Sequence, residues 1–170
     1  MIVDNGMPGF RRGALLATTG LTGLVLAAGA ALAQDTPSIS VVPTEAVEDF
    51  KPNPPENFTG DVRLGGTFKT AAPGRVGGGT VVFAPGARTN WHSHPAGQTL
   101  IVIDGAGFVQ ASDGPRQEIK RGDIVTIPAG VKHWHGAQAD RAMTHIAIAE
   151  VVDGAAATWM EPVTDTQYGG

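Results

Sequence analysis

The stretch from Asn90 to Val102, NWHSHPAGQTLIV, holds two histidines two positions apart and a glutamine four positions further on. Alternate side chains of a β-strand point to the same face, so His92 and His94 are expected to reach one point inside a β-structure. Gln98 falls on that face as well if the chain continues, or bends gently, across Pro95–Gly97. The stretch therefore predicts three polar side chains that converge from one segment.

A second histidine pair has the same spacing. His133 and His135 in KHWHG follow the turn sequence IPAGV, and all five histidines of the chain lie within residues 92–145. A single histidine of this kind is usually an ordinary hydrogen-bonded residue of a half-buried sheet, but two such pairs favour a metal site, because imidazole is the commonest protein ligand for divalent metals. Trp91 and Trp134 alternate with the histidines and are expected to pack on the opposite face.

The chain beyond residue 60 breaks into short β-type runs separated by Pro-Gly, Asp-Gly and Gly-Asp turns. The runs are DVRLGGTFK, GGTVVFA, QTLIVID, GFVQAS, DIVTIP and MTHIAIAEVV. This pattern, without a long helical period, predicts a small all-β barrel or sandwich. The sequence IDGAGF, Ile103–Phe108, is expected to be a hairpin tip with positive φ at Gly105 and Gly107.

Size and composition limit the functional classes. The 170 residues suit one domain, and the formal net charge of −4 without a Lys/Arg cluster argues against a nucleic-acid partner. The chain has no cysteine. A disulfide framework, a cysteine nucleophile and a lipid-modified cysteine are therefore excluded.

The first 33 residues have the pattern of an export signal. The pair Arg11-Arg12 precedes a charge-free apolar stretch that ends in the small-x-small sequence Ala31–Ala33. The paired arginines resemble a twin-arginine signal. We expect cleavage before Gln34, a periplasmic location and no stable membrane anchor after cleavage; an uncleaved anchor is the alternative interpretation.

Residues 34–58 form a proline-rich segment, which precedes the β-rich domain, residues 59–170. Its prolines are Pro37, Pro43, Pro52, Pro54 and Pro55. Prolines between short apolar pieces predict an extended arm rather than a packed element. We expect this arm to lie across a partner subunit in a homodimer or a higher homo-oligomer.

Two segments resemble the two sequence motifs of the cupin family. GARTNWHSHPAGQTLIVIDG, Gly86–Gly105, is similar to the first motif, and GDIVTIPAGVKH, Gly122–His133, to the second. The resemblance implies a small double-stranded β-helix, or jelly-roll, barrel. Gln98 stands where most metal-binding cupins have a glutamate, and Ala137 where many have an asparagine.

Within the cupins, ARTNWHSHPAGQTLIV, PAGVKHWHGA and AMTHIAIAE resemble the small single-domain proteins that include bacterial manganese-dependent hydroxynitrile lyases. That resemblance implies a divalent metal, Mn(II) in those relatives, held by three histidines and a glutamine. The corresponding positions here are His92, His94, Gln98 and His133. It also implies that His135 and His145 face the pocket.

The glutamine has a physical consequence for the metal. Three neutral imidazoles and a neutral amide leave the full charge of a divalent ion in place, whereas a glutamate would lower it by one. The centre is therefore expected to be a strong Lewis acid that resists oxidation, which favours heterolytic chemistry over dioxygen chemistry. Nitrogen and oxygen ligands suit Mn, Fe, Co, Ni or Zn, and folding in the cytoplasm before export would favour manganese.

The leading functional hypothesis is a lyase that cleaves or forms cyanohydrins, with a small-molecule substrate. His145 would accept the hydroxyl proton, for which an ordinary imidazole pKa near 6.5 is suitable, and His135 would assist the departing cyanide. One alternative is a cupin oxygenase or isomerase acting on another small metabolite. The other is a non-catalytic periplasmic cupin that binds a metal or ligand.

Overall fold

A computed structural model of the chain describes residues 39–169. The predicted export signal and the first five residues of the proline-rich segment lie outside the described residues. Strands dominate, and the two helices of this part of the chain are short. The elements are α1 Thr44–Val47, β1 Lys51–Pro52, β2 Phe58–Thr59, β3 Val62–Lys69, β4 Val76–Phe83, β5 Arg88–Thr89, β6 His92–Ser93, β7 Gln98–Ala111, β8 Gln117–Lys120, β9 Ile124–Ile127, β10 His133–Ala137, β11 Met143–Glu150, β12 Thr158–Trp159 and α2 Asp165–Gly169.

All of the strands pair antiparallel and form two curved sheets that share β7. One sheet has the order β1-β3-β4-β11-β7-β9. The other has the order β2-β5-β10-β7-β8, and β12 joins it through β6, which pairs with β10. The predicted small all-β barrel is confirmed.

The glycine-rich middle of β7 differs from the expectation. A hairpin tip at Ile103–Phe108 was predicted from the sequence, and this is wrong, because β7 runs on without a break. Gly105 has the expected positive φ, 73°, but Gly107 does not. The pairing register between β7 and β11 shifts between Thr144 and His145. The glycine-rich segment thus allows a β-bulge-like irregularity, at which β7 passes from one sheet into the other.

The hydrophobic residues form two clusters on opposite sides of the histidine-bearing strands. The barrel interior is filled by residues such as Phe83, Leu100 and Met143, which are fully buried. The second cluster is built from Trp91 and Trp134 together with Val163 of the C-terminal segment. The prediction that both tryptophans pack on the face away from the histidines is confirmed.

The described part of the proline-rich segment contacts the barrel of its own chain. β1 pairs with β3, and β2 pairs with β5, so the predicted domain boundary after residue 58 falls within β2. Further toward the N-terminus, Ile39, Val41 and Val42 are exposed apolar residues. In the described part of the chain, no helix is both long and apolar enough to cross a membrane.

Candidate metal centre

The structure brings all six predicted site residues together inside the barrel, and all six are buried. They are His92 in β6, His94 just after it, Gln98 at the start of β7, His133 and His135 in β10, and His145 in β11. The register of β6 on β10 places His92 opposite His133, and their ring centroids are 4.2 Å apart. Alternation along each strand turns the paired histidines inward, as expected.

Backbone carbonyls fix the tautomer of the three histidines predicted as ligands. The Nδ1 atoms of His92, His94 and His133 lie 3.0, 2.6 and 2.9 Å from the carbonyl oxygens of Asn90, Ala156 and Val131, respectively. A carbonyl oxygen only accepts, so each Nδ1–H donates to it. Each Nε2 therefore carries the lone pair, which is the arrangement that a metal-ligating histidine needs.

The Nε2 atoms of two of these histidines lack a hydrogen-bond donor. His133 Nε2 lies 3.1 Å from Gln98 Oε1, so two lone pairs face each other unless the amide is turned over. His94 Nε2 is buried without a hydrogen-bond partner. Buried polar atoms of this kind cost stability unless something pairs with them, and a bound cation would be such a partner. The donor set therefore fits a divalent metal.

His135 was predicted to be catalytic and not a ligand, but it lies within metal-binding distance of two of the proposed ligands. The ring nitrogens that His92, His133 and His135 offer all lie within 4.8 Å of one another, a spacing that can hold a metal ion. His135 Nε2 is also buried and unpartnered. The group of three in the structure thus contains His135 and not His94, and the set of His92, His94, Gln98 and His133 stays a prediction.

His135 and His145 form a hydrogen-bonded pair with two possible proton arrangements. His145 Nε2 lies 3.2 Å from His135 Nδ1, and the other nitrogen of each ring has no partner. If His145 Nε2–H donates, His145 Nδ1 is a free base and His135 Nε2–H is a free donor. If His135 Nδ1–H donates, His135 Nε2 is a free ligand instead. The tautomer therefore decides whether His135 acts as an acid or as a metal ligand.

Burial keeps the histidines neutral. Loss of solvation lowers the pKa of His92 to about 3, with the neighbouring His133 adding to the effect, and it lowers the pKa of His133 to about 4. Burial lowers the pKa of His94, and that of His135 falls well below its ordinary value. Burial also lowers the pKa of His145 to about 4, so the expected pKa near 6.5 is wrong. Neutral imidazoles are the metal-binding form.

Four of the histidines, His92, His94, His135 and His145, line a cavity of about 320 Å³. Phe58 and Trp159 form an aromatic wall, with ring centroids 5.2 Å apart, and Asn57 also lines the space. No sequence motif marks these residues. They reach the cavity only because β2 pairs with β5, and β12 with β6, across long stretches of chain. A cavity of this size and mixed lining suits a small organic ligand.

Comparison with known proteins agrees with the fold. The model of the cupin domain family matches residues 79–149. A (R)-mandelonitrile lyase of Granulicella tundricola is 53% identical over 115 residues, which cover 68% of this chain and 88% of that protein. The solved structure of a cupin-like protein of Thermotoga maritima is 43% identical with a TM-score of 0.64, covering 69% of this chain and 89% of that one. A double-stranded β-helix protein of Klebsiella pneumoniae, at 21% identity and a TM-score of 0.52 over 74% of this chain and 99% of that one, shares the fold.

The chain belongs to the cupin family. In particular, its cupin domain is similar in sequence to the Granulicella lyase along most of that protein's length.

Proposed function

We propose that this cupin is a metal-dependent lyase that cleaves cyanohydrins to a carbonyl compound and hydrogen cyanide, and catalyses the reverse addition. Its 53% identity to a mandelonitrile lyase supports an enzyme of the hydroxynitrile lyase type. The structural observation that carries the proposal is the cluster of neutral, buried imidazoles at the inner end of a largely apolar cavity.

His92, His94, Gln98 and His133 are the proposed ligands. We propose manganese as the native ion, although Fe, Co, Ni and Zn accept the same donors. A divalent ion held there would supply Lewis acidity, which lowers the pKa of a hydroxyl group next to it.

His145 and His135 are suited to move the proton as a neutral relay. His145 Nδ1 accepts the proton of the cyanohydrin hydroxyl while the carbon–carbon bond breaks and its electron pair leaves on the cyano carbon. His145 Nε2–H passes to His135 Nδ1 across the 3.2 Å contact, and His135 Nε2–H passes to cyanide, which leaves as hydrogen cyanide. No imidazolium accumulates, so the low histidine pKa values do not oppose the reaction.

The direct test is mandelonitrile cleavage by the purified protein, with elemental analysis of the same sample and a parallel sample treated with chelator. We expect stoichiometric divalent metal and cleavage that chelation abolishes and added Mn(II) restores. Full cleavage without metal would contradict the proposal. Oxygen consumption would indicate a cupin oxygenase, and tight metal retention without turnover would indicate a binding protein.

We propose also that the protein is exported to the periplasm and acts as a homo-oligomer. The arginine pair and the small-x-small site of the first 33 residues support export. The exposed apolar side chains of Ile39, Val41 and Val42, just before α1, support contact with a second copy.

A further inference from the structure

The segment from Ala156 to Tyr168, here called the C-terminal strap, runs beside the histidine cluster. Its β12 pairs with β6, so that Trp159 lies opposite His92. The pairing continues past β12, because Met160 N–H donates to the Trp91 carbonyl oxygen at 2.9 Å. Trp91 N–H in turn donates to the Glu161 carbonyl oxygen at 3.0 Å. The strap is therefore attached along the strand that carries the first histidine pair.

Two of the proposed ligands depend on the strap for their orientation. The Ala156 carbonyl oxygen accepts the Nδ1–H of His94 at 2.6 Å. The Trp159 ring lies against the His92 ring, with centroids 4.7 Å apart and planes 31° apart. Partners of this kind fix the tautomer and the ring orientation of metal-ligating histidines.

The far end of the strap is held by a buried arginine in β5. Arg88 Nε and Nη2 donate to the Val163 carbonyl oxygen at 3.2 and 3.0 Å, and Nη2 also lies 2.6 Å from Asp165 Oδ1. The Arg88 side chain is only 7% exposed, whereas that of Asp165 is 97% exposed. A buried guanidinium without acceptors is unstable, so the burial of Arg88 requires Val163 to stay docked.

We propose that Arg88 is a positioning residue for the metal site, acting through the C-terminal strap. By holding the strap at Val163, it keeps the Ala156 carbonyl on His94 and the Trp159 ring on His92. Arg88 makes no hydrogen bond to a proposed ligand, so its effect is indirect. The proposal rests on the metal site described under the proposed function.

The first test is the Co(II) dissociation constant of metal-free protein, measured by titration calorimetry. Arg88→Lys keeps the charge but not the paired donors on Val163, and Trp159→Ala removes the ring from His92. We expect each to weaken Co(II) binding about tenfold or more, as loss of such supporting contacts does in other metal sites. Trp159→Phe should restore most of the affinity, and Arg63→Lys, at an exposed pair with Asp61, should leave it unchanged.

The double variant Arg88→Lys/Trp159→Ala tests whether Arg88 affects Co(II) binding through the strap or through another part of the structure. Arg88 adjoins Thr89, whose Oγ1 accepts the His135 N–H at 3.2 Å, so an arginine variant could also act through β5. If Arg88 acts through the strap, the losses of Co(II) binding free energy in the two single variants are not additive. The double variant then binds Co(II) about as tightly as whichever single variant binds it less tightly. Additive losses would overturn the route through the strap.

Hydrogen exchange gives a second measurement that a general loss of stability would not reproduce. If the strap supports the metal site, metal binding must stabilise the strap by the same free energy. Co(II) should therefore slow exchange in peptides covering residues 156–168 of the unmodified protein, and this protection should shrink in the Arg88→Lys variant. Unchanged exchange of the strap on Co(II) binding, or unchanged Co(II) affinity in the Arg88→Lys variant, would overturn the proposal. Failure of the unmodified protein to bind Co(II) would overturn the metal site itself.

Discussion

Each of the three histidines predicted as ligands directs one ring nitrogen to a backbone carbonyl. These partners carry no net charge, so they set the tautomer without reducing the charge of a bound ion. Together with Gln98, they would make a centre in which the proposed ligands and their hydrogen-bond partners are all neutral. The hydrogen-bond partners of the proposed ligands would therefore not weaken the Lewis acidity that the sequence predicts for a bound ion.

Gln98→Glu tests this electrostatic interpretation. The carboxylate keeps an oxygen at similar reach but lowers the charge of the centre by one, so metal should stay bound while cyanohydrin cleavage falls at least tenfold, an effect of about 1.4 kcal/mol on the barrier. Metal content and turnover are measured on the same samples. The control is Gln117→Glu, which makes the same change at an exposed position in β8. Full activity in Gln98→Glu would contradict the interpretation.

His145→Ala separates metal binding from proton transfer. His145 is not among the proposed ligands, so this variant should keep nearly stoichiometric metal and lose roughly 10²- to 10⁴-fold in cyanohydrin cleavage, the usual effect of removing a general base. His92→Ala should lose metal and activity together. Elemental analysis beside turnover decides the matter. Loss of metal in the His145 variant would make it a ligand, and unchanged turnover would exclude it from the reaction.

The metal-free protein should lose stability as the pH falls below about 6.5. His145 has its ordinary pKa in the unfolded chain and a pKa of about 4 when folded, so only the unfolded chain takes up this proton between those values. The stability is complete above pH 6.5 and declines down to about pH 4, by roughly 3 kcal/mol for this residue. Urea unfolding at pH 7.5 and 5 measures the decline. His145→Gln should show a smaller decline, and equal stability at both pH values would refute the prediction.

Local spacing was enough to predict which side chains share a face, and His92 with His94 shows this. It could not predict that His92 lies opposite His133, because this depends on the register of β6 on β10. The low pKa of His145 was also out of reach, since it reflects burial by residues distant in sequence, including Phe83.

At the scale of elements, the glycines of β7 were compatible with either a hairpin turn or an irregularity within one strand, and the sequence did not distinguish the two. Both a hairpin and a strand irregularity use a residue with positive φ, which Gly105 supplies. The hairpin was predicted because Gly105 and Gly107 were both expected to supply positive φ. The strand continues because its second half pairs with β8 and β10, which lie later in the chain. The C-terminal strap escaped prediction for the same reason.

Gly105→Ala should destabilise the barrel more than Gly130→Ala. The two glycines have nearly equal φ, 73° and 74°, so both substitutions incur the backbone strain of about 1–2 kcal/mol. A Cβ at Gly105 would in addition collide with the Ala142 carbonyl oxygen, whereas nothing lies within 4 Å at Gly130. Urea unfolding of both variants gives the difference in free energy of unfolding. Equal losses would show that the backbone moves aside at Gly105.

At the scale of the whole molecule, the fold could be predicted from local features of the sequence. Alternating runs and two spaced motifs are local properties, and they were sufficient for the barrel. The arm at residues 34–58 was expected to be extended and to lie across a partner subunit. In the structure β1 and β2 pair with the barrel of the same chain, and the contact with a partner stays a prediction. An extended proline-rich sequence specifies its own conformation but not the surface on which it lies.

Export can be tested directly on the whole protein. The mature chain should begin at Gln34, because Ala31–Ala33 is the small-x-small site that follows the apolar stretch. The intact mass of protein recovered from the periplasm measures this. A mass that includes Met1–Ala33 would contradict cleavage, and replacement of Arg11-Arg12 by lysines, which should block a twin-arginine route, provides the control.

Strand β7 couples the unfolding of one sheet to the unfolding of the other. Its first half is hydrogen-bonded to β9 and β11 and its second half to β8 and β10, so neither sheet can come apart without freeing backbone groups of the same strand. Partial unfolding that spares one sheet is thereby disfavoured, and the barrel gains the character of a single cooperative unit. A protease in the surrounding compartment would then meet either the intact barrel or the unfolded chain, with little in between.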